Sequence, residues 1–301
     1  MENLLAQAEE RPLLVKEDMS VSEATLIERP AERARQSGPT SSALARIAAI
    51  ARNTFRESVR DKILYNLVLF MLLLTGAAIF LSDLTAAEEF KLVVDLGLSA
   101  MLLFGVFIAI FVGVGLVYKE IERRTVYAIF SKPVGRGEFL VGKYLGLCLT
   151  LFVNIMVMGA GVTLALLYVK RPENPAALSI WPAILLIYVE LMILTAVALL
   201  FSSFSSPALS ALLTFLIFII GHFSADLKAF AASVGTSSAQ LFFGALYYLL
   251  PNLSHFTYIT PAAYGRAPAP ALVAVALAYA CIYIAVLLAA SALIFSRRNF
   301  K

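Results

Sequence analysis

The chain is short of the side chains that carry chemistry. It has two cysteines and two histidines in 301 residues. Cys148 and Cys281 each lie inside an apolar run, which excludes a disulfide framework or a metal-ligand spacing and reads as two inert buried thiols. His222 and Asp226 are four positions apart and share a helix face, as metal ligands or an acid–base pair would. A polar contact at a helix end is the plainer reading. No zinc-protease or nucleophile-elbow motif occurs. The run Gly137-Glu-Phe-Leu-Val-Gly142-Lys143 has the outline of a phosphate loop, but Tyr144 follows where Ser or Thr must hold magnesium, and no strand precedes it. Lys143 is better explained as an anchor at a membrane face. These absences leave no catalytic residue, metal, bound cofactor or nucleic-acid partner to assign.

Charge is scarce too. Charged residues make up 15% of the chain and hydrophobic ones 60%. Soluble domains hold about 45–50% apolar residues. With a mean hydropathy of +0.85, the chain belongs in a membrane.

Polar sequence is confined to a few places. Residues 1–41 interleave Glu, Arg, Pro and Ser and read as a disordered cytoplasmic tail. Residues 42–62 change pattern. Leu44, Ile47, Ala51, Phe55 and Val59 recur at helical spacing, with Arg52, Arg56 and Arg60 on a neighbouring face. That is an amphipathic helix at the lipid interface, with Phe55 entering the head-group boundary and the arginines meeting anionic lipid. A solvated extension of the first span is the alternative.

Six apolar runs follow, at about 63–81, 92–117, 139–169, 180–201, 207–223 and 271–295. Each is close to the ~20 residues that carry a helix across ~30 Å of hydrocarbon. In lipid such runs are helical, because the backbone has to satisfy itself. The predicted fold is therefore an all-α polytopic membrane protein with six transmembrane helices over residues 63–301. Basic residues gather before the first span, in the loop over 118–143 and at Arg297, Arg298 and Lys301. Six spans put all three on one side, which the positive-inside rule makes cytoplasmic. Residues 224–270 are then extracytoplasmic, with one or two short helices lying on the membrane or dipping into it. Two extra spans are the alternative there.

Two intramembrane polar residues stand out. Glu190 lies about 15 Å into the fourth run by helical rise. An ionisable group at that depth has to face protein or a water-filled cavity. It either touches a substrate, ion or proton, or holds helices together through Asn154 or Tyr188. Asn154 carries the same two readings, with packing the plainer.

The stretch from Val117 to Gly146 is the one long polar run between spans. Its segments Lys119-Glu-Ile-Glu122-Arg-Arg-Thr125, Ser131-Lys-Pro133-Val-Gly-Arg136 and Gly142-Lys143-Tyr-Leu-Gly146 resemble the cytoplasmic loop of ABC-2 type transporter permeases. The basic helix before the first span looks like that family's elbow helix, and Leu200-Phe-Ser-Ser-Phe-Ser-Ser-Pro207 is also similar. The likeness covers roughly 45–300. Arg124 departs from it, standing where a glycine is common, as does the polar tail.

The resemblance implies a permease of a bacterial inner-membrane ABC transporter, an exporter, with both termini cytoplasmic. It implies a separate ATPase subunit that uses ATP and magnesium, and a second permease copy forming a homodimer or close heterodimer. A coupling helix at about 120–130 would seat in the ATPase. Glu120, Glu122, Arg123, Arg124, Thr125 and Arg136 would supply its polar contacts, Tyr127 and Phe130 its apolar anchors, and Pro133 the turn back. The competing readings are a non-transporting scaffold or mechanotransmission protein and, behind them, an intramembrane enzyme using His222, Asp226 or Glu190.

Overall fold

The computed structural model describes residues 42–60, 69–70, 73–74, 76–77, 80, 89–122, 135–169, 179–224 and 237–297. Residues 1–45 and 46–301 form separate units. The expected tail lies outside the described residues, as does most of the first apolar run. Every described element is helical. They are α1 (Ala43–Arg60), α2 (Glu89–Glu122), α3 (Arg136–Val169), α4 (Trp181–Ser202), α5 (Pro207–His222), α6 (Ser237–Leu249), a 3-10 turn (Leu253–Phe256), α7 (Ile259–Ala263) and α8 (Pro270–Arg297).

Four of these are long and apolar enough to cross a membrane, at Phe90–Gly115, Gly137–Leu167, Trp181–Ser202 and Pro270–Ile294. Each falls within a few residues of an expected span. The fifth expected span is the 16-residue helix α5. At 1.5 Å per residue it rises only about 24 Å, short of the ~30 Å core.

The bundle is built around α4. That helix has no polar stripe, and a helix apolar all round belongs inside. Its residues from Ala183 to Leu199 are almost all buried. It packs against α2, α3, α5 and α8. Side-chain pairing fixes the directions. Gly105 lies against Leu191 and Gly113 against Ala198, so α2 and α4 run parallel. The Tyr144 hydroxyl donates to the Met192 carbonyl and the Tyr188 hydroxyl to the Cys148 carbonyl, so α3 runs antiparallel to both. From the first run, Phe70 is buried and meets Phe104 of α2 edge to face at 5.5 Å.

Residues 237–269 hold α6, the 3-10 turn and α7, three short pieces where one or two short helices were expected. The turn dips along the bundle. The Asn252 amide donates to the Tyr279 hydroxyl at 2.9 Å, and Tyr279 lies roughly 14 Å along α8 from its start. Irregular backbone at such depth is tolerated only when buried in protein with its polar groups satisfied. Asn252 provides that. Its Oδ1 accepts from the Ser254 amide, the Ser254 hydroxyl and the Ser224 hydroxyl, and its Nδ2 donates to the Tyr247 hydroxyl. The chain then leaves through Gly265 at φ 72, a left-handed residue whose N–H donates to the Ala262 carbonyl and closes α7. Beside it, the Lys91 ammonium sits 4.6 Å from the Tyr264 ring centre.

Candidate functional site

Two places concentrate polar residues. The first is where α2 ends and α3 begins. Each helix has 34 residues, about 51 Å of rise. That is some 20 Å more than hydrocarbon needs. The apolar part of α2 stops at Gly115, so the excess lies at its polar C-terminal end. Glu120 and Glu122 are helical there. Arg123, Arg124, Thr125, Tyr127, Phe130 and Pro133 lie outside the described residues, and Arg136 opens α3.

α1 is bound to this end of α3. The Arg46 guanidinium grips Glu138 through two hydrogen bonds, Nε to Oε2 at 2.9 Å and a terminal nitrogen to Oε1 at 2.7 Å. Bidentate geometry of this kind fixes direction as well as distance. Below it, Lys143 is buried and its ammonium lies 3.8 Å from a Glu57 carboxylate oxygen. Between these ion pairs the helices touch backbone to backbone. A Cβ on Gly142 would stand 2.8 Å from the Ile50 Cβ, and one on Gly146 would stand 2.6 Å from the Ala51 carbonyl. Gly142 and Gly146 are the small residues of a GxxxG spacing, which lets helices approach closely.

The face α1 turns to protein holds Thr54 and Ser58, both fully buried, with Ile47, Ile50 and Ala51 partly covered. This is a different face from the apolar one read from spacing, whose Leu44 is left uncovered by protein at 78% exposed. Thr54 lies against Gly146, and Ile50 against Gly142. Arg52 and Arg56 are exposed and Phe55 is half-buried. The side chain of Arg60 lies outside the described residues.

The second place is inside the bundle. Glu190 is fully buried on α4, and the His222 Nδ1 lies 3.7 Å from its Oε1. The partners expected for Glu190 are engaged otherwise. Asn154 donates to the Thr150 carbonyl, one turn back on its own helix, and Tyr188 donates to Cys148. Sequence reasoning had both residues of the pair but joined His222 to Asp226, which lies outside the described residues. Spacing along one helix cannot reveal a contact made between two. Ser202 and Ser203 bond their own helix carbonyls, Leu199 and Leu200, as packing residues do. Among the described residues no group of three His, Cys, Asp or Glu side chains could hold a metal ion.

A family profile described as "ABC-2 family transporter protein" matches residues 48–300. No curated protein matches the chain.

Proposed function

The chain belongs to the ABC-2 transporter family, a multi-pass membrane family of transport subunits, and from that premise we propose that it is the permease of an ABC exporter driven by a separate ATPase. In this reading the residues 63–81 and α5 complete six spans with the four long helices. Both termini and the 118–143 loop face the cytoplasm of a bacterial inner membrane. The chain binds no ATP itself; the partner ATPase uses ATP and magnesium.

The observation that carries the reading is the stalk. α2 runs on past its apolar stretch to Glu122, α3 begins at Arg136, and the two bracket the polar residues 123–134. A soluble ATPase that seats on this loop through Glu120, Glu122, Arg123, Arg124, Thr125, Tyr127, Phe130, Pro133 and Arg136 has hold of both stalk helices. Its closure pushes α2 and α3 directly. Because α1 is clamped to α3 by Arg46–Glu138 and the two glycines, α1 travels with α3 as an elbow at the lipid interface. Force then reaches α4, on which α2 and α3 both pack. A second permease copy fits the exposure of α8, whose apolar window is only 17% buried, against 72% for α4.

Mild-detergent isolation of the tagged chain, with mass spectrometry and an ATPase assay of the eluate, tests this. The parent is expected to bring down a nucleotide-binding subunit, and Glu122→Arg with Tyr127→Ala to lose it. A well-folded parent with no ATPase activity in the eluate overturns the reading.

A further inference from the structure

Glu190 and His222 meet across the α4–α5 contact. Among the described residues, both carboxylate oxygens of Glu190 and the His222 Nδ1 are buried without a hydrogen-bond partner. Their 3.7 Å separation is too long for a hydrogen bond and short enough for an ion pair. Glu190 lies roughly 14 Å along α4, at bilayer depth. A bare carboxylate in such surroundings is costly, and a nearby cation or a bound proton has to offset it. We infer that Glu190 and His222 form a proton-binding site, and that its filling sets how firmly the end of α5 is held to α4.

Among the described residues, the surroundings leave the pair to itself. On α4 the next titratable side chain is Tyr188, committed to Cys148. α3 brings Tyr144, which donates to Met192, and Cys148, and carries Glu138 and Lys143 at its far end beside α1. α8 brings Tyr279, Cys281 and Tyr283. Tyr279 receives the Asn252 amide, and Tyr283 donates to the Leu249 carbonyl. The 3-10 turn brings His255, an exposed ring against Tyr279. α2 brings Lys91 and Asp95 near its start, with Lys91 over Tyr264. Lys119, Glu120 and Glu122 stand at its other end. His222 is the ionic partner of Glu190 among the described residues.

The two residues differ in access. The Glu190 side chain is 1% exposed and that of His222 is 26% exposed, between the rings of Phe218 and Phe223. Imidazole is therefore the proton's way in and out. With one proton on the pair, held by His222, imidazolium faces carboxylate and attraction binds α5 to α4. A second proton makes Glu190 an uncharged acid, and the attraction ends. Acid thus loosens the contact.

Infrared spectroscopy of the full chain in lipid vesicles, titrated with acid, reads this directly. The parent is expected to gain a carboxylic-acid C=O band on acidification that Glu190→Gln lacks. His222→Gln is expected to show the band already at neutral pH, because the cation that keeps Glu190 ionised is gone. Amide exchange at the end of α5 should rise several-fold over the same acid step in the parent. If Glu190→Gln does not fold, isotope-labelled glutamate assigns the band in the parent and in His222→Gln. The inference is overturned if no buried glutamic-acid band appears at any pH, or if His222→Gln titrates like the parent.

Discussion

Gly146→Leu is expected to cost about 1–3 kcal/mol of stability, the range for forcing extra carbons into a packed contact, and to uncouple α1 from α3. Even a single added carbon there would lie 2.5 Å from the Thr54 Cβ and 2.6 Å from the Ala51 carbonyl oxygen. Neither atom can turn aside. One is fixed to the backbone and the other is backbone, so α1 as a whole has to move. The shift pulls on the Arg46–Glu138 pair, whose two hydrogen bonds tolerate little displacement. Gly105→Ala makes the control. Its Cβ would stand 2.4 Å from the Leu191 Cδ1, an even closer approach, but that atom ends a flexible side chain. A rotamer change relieves it, so the cost should stay below about 1.5 kcal/mol. Thermal unfolding of the purified chain in detergent compares them. Equal melting temperatures for Gly146→Leu and Gly105→Ala would show that α1 is not tightly seated.

Asn252→Leu is expected to be more damaging, at about 3–5 kcal/mol, since each buried polar group left unsatisfied costs roughly 1–3 kcal/mol. The substitution removes the acceptor for the Ser254 amide, the Ser254 hydroxyl and the Ser224 hydroxyl together. Water is not at hand to replace it, for Asn252 and Ser224 are both buried. Tyr247→Phe deletes the 3.2 Å donation from Asn252 Nδ2 and leaves its Oδ1 acceptor in place, and should cost only about 0.5–1.5 kcal/mol. Melting temperature ranks the two, and protease cleavage near residues 250–258 should appear in Asn252→Leu alone. A melting point for Asn252→Leu equal to that of Tyr247→Phe would mean that the dipping turn is held by packing and not by its polar hub.

Four of the six expected spans were legible in the sequence because length and hydropathy suffice for them. The runs expected at 180–201 and 271–295 appear as Trp181–Ser202 and Pro270–Ile294. What pattern could not supply was which faces meet. Gly142 and Lys143 read as an anchor before a span, while the four-residue step to Gly146 that seats α1 went unused. The spacing from Leu44 to Val59 marked an apolar stripe, while the face α1 turns to protein buries Thr54 and Ser58, with Thr54 against Gly146 and Ile50 against Gly142. Prolines stand at 251, 261, 268 and 270, across a region where helical runs are interrupted. Asn252 at its centre gave no signal, since a hub of hydrogen bonds exists only once five separate residues have come together.

In the proposed mechanism, α1 and α3 move as one body when the ATPase closes. Spin labels on the isolated complex test it most directly. One pair joins exposed Arg52 on α1 to exposed Leu149 on α3, and a second joins Arg52 to exposed Leu212 on α5, with Cys148 and Cys281 replaced. Adding a non-hydrolysable ATP analogue should leave the Arg52–Leu149 distance unchanged and shift the Arg52–Leu212 distance. A change between Arg52 and Leu149, or an unmoved Arg52–Leu212 distance with nucleotide bound, would contradict the account.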